Sequence, residues 1–224
     1  MVHVRVISLL AATLCAGLAH GAKLRYMPFG DSITDYGCWR AWIGERFIKD
    51  GYDVDFVGSR KSRTTCNNLD WDRDHEGHPG YQAADIVSKN QLVDWLKQNP
   101  ADIVTMHLGT NDIYQVSRKT PDTIKALSTL VDQMRASNPA MRIIMAQIIP
   151  LPAVNKAVQD LNAAIPALAA SKNSTASPVW LVDQFTNFTS ADLKDGIHPS
   201  ASGDIKMANV FYPALVQAIK SLQA

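Results

Sequence analysis

The sequence predicts an α/β domain of three layers, α/β/α, around a central, mainly parallel five-stranded sheet. Short apolar runs of strand length alternate with longer stretches whose apolar residues recur at helical spacing, and that alternation implies crossover connections and parallel pairing. Two of the runs end in polar turns, Gly30-Asp31-Ser32-Ile33-Thr34 and Gly109-Thr110-Asn111-Asp112. Such turns fall at the sheet edge where open α/β sheets bind ligands. At 224 residues and 46% hydrophobic content, with no internal repeat or linker, the chain supplies one ordinary globular core.

The elements follow in order. Residues 1–21 read as a secretory leader: His3 and Arg5 give a weakly basic start, 6–19 is apolar, and Ala19-His20-Gly21 puts small residues where a signal peptidase reads them. Those small residues place the expected cut before Ala22, and the apolar run is shorter than the roughly 20 residues a membrane span needs. The remainder, 22–224, is expected to be a single extracellular domain with no membrane attachment. Residues 24–29 form the first strand, and Trp39, Trp42, Ile43 and Phe47 mark a helix over 39–49. Residues 54–58 form the second strand. Residues 59–80 show no period and are long for a structureless connection, which marks them as functional. One helix is expected over 83–98, closed by Asn99-Pro100, then a central strand over 102–108. A helix over 121–136 has Thr120 as its cap and Pro at its first turn. A strand over 141–149, a helix over 153–170, a strand over 179–183 and a helix from Ser200 or Ser202 to about Leu222 complete the chain.

Twenty-two Lys and Arg face 21 Asp and Glu with no long block of one sign. That balance argues against a nucleic-acid partner and points to a substrate that is uncharged or recognised by shape. Loss of Cys15 with the leader leaves Cys38 and Cys66, an even pair in an oxidising compartment, so one Cys38–Cys66 disulfide is expected. Asn173-Ser174-Thr175 and Asn187-Phe188-Thr189 fit the N-glycosylation pattern, making Asn173 and Asn187 candidate attachment sites. A monomer is expected.

Ser32 alone reads as a helix cap, and Asp195 and His198 alone as a turn. Taken together, in the order Ser, Asp, His at strand-end loops, they fit a nucleophile, an orienting carboxylate and a base. The Gly-x-Ser-x-Gly elbow is absent, since Thr34 stands where its second glycine would be. What is present resembles the SGNH (GDSL-type) hydrolases, whose four blocks have counterparts here in Phe29-Gly30-Asp31-Ser32-Ile33-Thr34, Glu76-Gly77-His78-Pro79-Gly80-Tyr81, His107-Leu108-Gly109-Thr110-Asn111-Asp112 and Asp195-Gly196-Ile197-His198-Pro199. The resemblance implies an SGNH-hydrolase, flavodoxin-like fold and a catalytic set of Ser32, Asp195 and His198. It implies an oxyanion hole from the Ser32 and Gly80 backbone N–H groups and the Asn111 amide, with Gly77 as the competitor to Gly80. Asp35-Tyr36-Gly37-Cys38-Trp39-Arg40 and the second and third blocks are most similar to the secreted acetylxylan esterases of carbohydrate esterase family 3. That implies an O-acetyl ester on xylan or a related cell-wall polysaccharide as substrate.

Asp31, Tyr36, Trp71 and Tyr81 are the candidate substrate contacts. Tyr36, Trp71 and Tyr81 could offer flat faces to pyranose rings, and Trp71, in the polar loop, is expected to be exposed. Trp39 and Trp42 lie on a helical face and are expected in the core. His107 ends a buried strand and reads as a core histidine. Asp72, Asp74, His75, Glu76 and His78 cluster without the spacing of known zinc sites, and acyl transfer by a serine set requires no metal, so neither metal nor cofactor is expected. Three rival readings remain: an esterase for other short acyl or lipid esters, a non-catalytic carbohydrate-binding protein, and a glycosidase working through Asp72 and Glu76.

Overall fold

The computed structural model describes residues 23–66 and 71–223; the expected leader and Cys15 lie outside the described residues. In chain order the elements are β1 (Leu24–Gly30), α1 (Ser32–Tyr36), α2 (Trp39–Asp50), β2 (Val54–Phe56), β3 (Arg60–Lys61), β4 (Asp74–Gly77), α3 (Ala83–Ser88) and α4 (Gln91–Gln98). There follow β5 (Ile103–His107), α5 (Thr110–Tyr114), α6 (Thr120–Ser137), β6 (Arg142–Gln147), α7 (Asn155–Lys172), β7 (Val179–Asp183) and α8 (Ala201–Gln223).

The strands make one sheet in the order β3-β4-β1-β5-β6-β7, with β2 also paired to β1. β2 runs beside the start of β1 and β4 beside its end, Gly30 opposite Gly77. All these pairings are parallel except β3 against β4. Side chains alternate across the sheet as strand geometry demands. Met27, Phe29, Val104, Met106, Ile143 and Met145 pack into the core that includes residues of α3, α4, α6 and α7. Tyr26, Ile103, Ile144 and Ala146 face the other way, onto the apolar sides of α2 and α8. The expected three-layer α/β/α architecture is therefore present. Among the described residues no helix is long and apolar enough to cross a membrane.

Three local expectations need correction. Residues 59–80 contain β3 and β4, so the sheet has seven strands among the described residues where five were expected. Apolar periodicity misses β4 because it reads Asp-His-Glu-Gly, and its buried side chains, His75 and Glu76, are polar groups with polar neighbours. The 83–98 helix is two helices, divided where Asn90 takes the left-handed conformation at φ 52°, which asparagine tolerates better than most residues. Thr120 is the first residue of α6 and Lys119 occupies the cap position, with no side-chain cap bond; Pro121 sets the first turn.

Candidate active site

The turn after β1 begins with Asp31, which is fully buried and caps α1: its Oδ1 accepts from the Ile33 N–H at 2.9 Å. Burial raises the Asp31 pKa to about 7, against the Ile33 N–H bond that favours its charge. Asp31, expected as a substrate contact, is instead fully buried, where it positions the turn. Ser32 opens the five-residue helix, half-buried, with a first-turn N–H that no intrahelical bond takes.

Across the sheet edge, residues 193–199 form a tight loop closed by a bridge between Leu193 and Pro199. Within it the Asp195 Oδ1 accepts from the backbone N–H groups of Ile197 (3.0 Å) and His198 (2.7 Å). Its Oδ2 lies 2.7 Å from His198 Nδ1. Partial desolvation would raise the Asp195 pKa, but these bonds outweigh it and hold the carboxyl down at about 2. His198 Nε2 lies 2.9 Å from Ser32 Oγ, joining residues 166 positions apart. With Nδ1–H donated to a carboxylate, Nε2 carries the lone pair and can receive the hydroxyl proton. The Tyr36 ring, 45% exposed, lies 5.5 Å from the His198 ring.

β4 and β5 flank the end of β1, so the loops that follow them border Ser32. In the loop after β4, Gly80 is exposed at φ 79°, where a Cβ would meet only the Gln115 amide at 3.9 Å. Gly77 is different: a Cβ there would sit 2.7 Å from the Asp35 backbone nitrogen, so its bareness serves packing against α1. The Asn111 amide is oriented on both ends, Oδ1 accepting from Gln115 Nε2 at 2.9 Å and Nδ2 donating to the Tyr81 carbonyl at 3.0 Å. One N–H of that amide is left for a ligand. Tyr81 is partly exposed and stacks on His78, which itself stacks on Trp95 at 4.0 Å.

Trp71 overturns its expectation. It is 6% exposed and packs with Ala41 and Cys66, the Arg40 guanidinium lying 5.1 Å from its ring. A disulfide joins Cys66, which packs on this ring, to Cys38 at the start of α2. Trp39 is buried as its helical face implied. His107 is buried, accepts from the Ile149 N–H at 3.3 Å, and is pushed by burial to a pKa of about 4. Asn173 and Asn187 are both exposed.

The acidic and histidine cluster is a set of structural bonds. Asp72 accepts from the Phe56 and Asp74 N–H groups, and Glu76 from the Ser59 N–H and hydroxyl, with His78 Nε2 at 2.5 Å. Among the described residues no group of three or more His, Cys, Asp or Glu is arranged to hold a metal ion. Buried Glu76 is fully engaged, which removes the basis for a paired-carboxylate glycosidase. His75 Nε2 lies 3.1 Å from Asp35 Oδ1, close contact without the alignment of a hydrogen bond, while its Nδ1 accepts from the Gly77 N–H; burial lowers its pKa to about 4.

Sequence reasoning missed Arg40. It is fully buried, donating from Nε to the Thr34 carbonyl at 2.7 Å and from Nη2 to the Asp35 carbonyl at 2.8 Å. These are the orphan carbonyls of α1, so a buried cation closes the helix that Ser32 opens. Nothing in a lone arginine on a helical stretch signals that role.

The profile of the GDSL-like Lipase/Acylhydrolase family matches residues 29–204. Among solved structures, the chain is similar to a carbohydrate esterase family 3 protein from Talaromyces cellulolyticus, 36% identical, covering 88% of this chain and 98% of that one at a TM-score of 0.85. It is also similar to an acetyl esterase mutant crystallised with acetate ion, 35% identical over 89% of this chain and 99% of that one, TM-score 0.82. A multidomain esterase from Ruminococcus flavefaciens is 26% identical over 88% of this chain and 29% of its own length. The chain spans between 29% and 58% of the curated relatives it matches.

Proposed function

The chain belongs to the GDSL-like lipase/acylhydrolase family, and from that membership and the site's geometry we propose that it is a secreted serine esterase removing O-acetyl groups from xylan or a related polysaccharide. One observation carries the chemistry: Ser32 Oγ, His198 and Asp195 form a continuous hydrogen-bonded relay of 2.9 and 2.7 Å. Ser32 attacks the acetyl carbonyl as His198 Nε2 takes its proton. The oxyanion is received by the Ser32 and Gly80 N–H groups and the free Asn111 N–H, an arrangement in which each donor is worth roughly 3 kcal/mol. His198 then protonates the departing sugar hydroxyl, and a water activated by the same imidazole releases acetate. Asp195 holds the imidazole in the required tautomer and stabilises its cation.

The acetyl preference rests on likeness to the carbohydrate esterase family 3 protein and the acetyl esterase, and Tyr36 and Tyr81 are exposed flat faces suited to a sugar. The compartment reading rests on the leader-like residues 1–21 and is supported by the Cys38–Cys66 disulfide; 22–224 would then be the mature, single-domain monomer, with Asn173 and Asn187 open to glycosylation. The test is acetate release from acetylated xylan by the secreted protein beside Ser32→Ala. A loss of about a thousandfold or more in the mutant is expected. Release that survives the mutation refutes the serine mechanism, and turnover of simple acetyl esters alone refutes the polysaccharide.

A further inference from the structure

The chain's net charge of +1 conceals a strongly uneven surface. A pocket of about 290 Å³ is lined by Asp35, Tyr36, Arg60, Lys61, Arg63 and Thr64. A groove of about 540 Å³ shares Arg60, Lys61 and Arg63 with it and adds Arg73. Two carboxylates among the described residues answer these four cations. Asp35 meets Arg60 through one long contact of 3.4 Å and is otherwise held by His75, and Asp74 meets Lys61 at 3.5 Å. A single long contact leaves most of the Arg60 fork available, and its side chain is 41% exposed.

The position of this pocket gives it meaning. Tyr36 forms one of its walls and also lies against His198. Tyr36 ends the helix that Ser32 begins, four residues or about 6 Å along its axis. That is a distance on the scale of one sugar ring. The segment that carries the cations is tied down: the Ser62 N–H donates to the Arg73 carbonyl at 2.9 Å, Ser62 is buried, and Cys66 is linked to Cys38. On this anchored segment an arginine fork can match a planar carboxylate, with the Lys61 ammonium beside it.

We propose that this pocket is a subsite for the carboxylate of a hexuronic acid residue neighbouring the acetylated sugar, so that the substrate class is acetylated acidic saccharide. The inference rests on the esterase reading for its substrate. The carboxylate forms a forked pair with Arg60 or Arg63, Lys61 supplies a second charge, and the Tyr36 face carries the ring between the pocket and Ser32. The overall charge balance points to a substrate that is uncharged or recognised by shape; the local charge adds an acidic group to it.

The experiment separates binding from turnover. Ser32→Ala protein is titrated by calorimetry with xylo-oligosaccharides of equal length, one bearing a hexuronic acid and one neutral, at about 20 mM and about 500 mM salt. About tenfold tighter binding of the acidic ligand is expected at low salt, collapsing at high salt where the Debye length is a few ångströms. The same preference is expected to disappear in Arg60→Gln/Arg63→Gln made in the Ser32→Ala background. Equal affinities, or no detectable binding of the acidic ligand, overturn the subsite, as does a preference that survives high salt. The salt comparison decides even if the double variant fails to fold. Acetate release by the wild type from acidic and neutral acetylated oligosaccharides is measured in parallel. Failure to release acetate from either refutes the esterase reading, while the titration alone decides the pocket.

Discussion

Asp31→Asn isolates the electrostatic cost of building the Ser32 turn. The amide keeps an oxygen to accept from the Ile33 N–H, so the cap survives while the buried charge is removed. In the folded chain the Asp31 pKa is raised from 3.8 to about 7, chiefly by burial. A carboxyl whose folded pKa exceeds its unfolded value holds its proton more tightly in the native state. The stability this gives is present at and below the unfolded pKa and is lost as pH rises toward the folded one. Each pH unit of separation is worth about 1.4 kcal/mol, so the wild type loses up to about 4 kcal/mol relative to the variant between about pH 4 and pH 7. Urea unfolding of both proteins at several pH values across that window measures the difference, in which titrating groups that do not interact with Asp31 cancel and its charged neighbour Asp112 contributes a smaller share. A gap that stays constant to within about 1 kcal/mol from pH 4 to 7 would refute the assignment of a proton to buried Asp31.

Three further perturbations test how the site is held. Arg40→Met strands the Thr34 and Asp35 carbonyls and the paired surroundings of a buried cation; a stability loss of about 3–5 kcal/mol is expected by denaturant titration, with kcat on a simple acetyl ester reduced about tenfold or more in whatever remains folded. Gly77→Ala drives a methyl to 2.7 Å from the Asp35 nitrogen and is expected to cost about 1–3 kcal/mol, whereas Gly80→Ala, at φ 79° in open space, costs about 1 kcal/mol and shows its effect mainly in kcat; equal thermal shifts in the two would contradict the packing role of Gly77. Replacing Cys38 and Cys66 by Ser opens a 28-residue separation and is expected to lower stability by about 3–4 kcal/mol, and two alkylatable thiols in the non-reduced secreted wild type would show that no bridge forms.

The layered fold was legible because apolar alternation and strand-length runs report directly on burial: β1, β5, β6 and β7 are read where they stand, and Tyr26 and Met27 fall on opposite faces as a period of two requires. The same rule is blind to β4. His75 and Glu76 are buried without being apolar, and they fit only because Asp35 and Ser59 come from elsewhere in the chain to meet them. Asp31 and Trp71 were misjudged for one shared reason. Residue type gave a polar and a loop-borne aromatic candidate, but exposure is set by what packs on top, here the sheet edge in one case and Cys66 with Arg40 in the other. Ser32, Asp195 and His198 stood out by their order at strand-end loops, and motif resemblance made them specific; spacing alone gave no distance between residues 166 apart.

A five-residue helix cannot hold its own shape in water, since nucleation consumes more conformational freedom than one turn of hydrogen bonds returns. α1 must therefore be held from outside, by two buried polar side chains that the core would otherwise reject and by one close backbone approach. Asp31 caps its first turn, Arg40 takes its last carbonyls, and Gly77 lets the backbone of β4 press against it. His75 fixes Asp35 near the helix end, and Asp35 in turn meets Arg60 at the mouth of the basic pocket. Burial works to raise the Asp35 pKa, yet His75, Arg60 and Arg40 outweigh it and keep the carboxyl below its ordinary value. The hydroxyl of Ser32 and the wall of that pocket are thus two ends of one short, externally braced element. A disturbance of Arg40 or Gly77 should shift both together, whereas charge removal at Arg63 should touch the pocket alone.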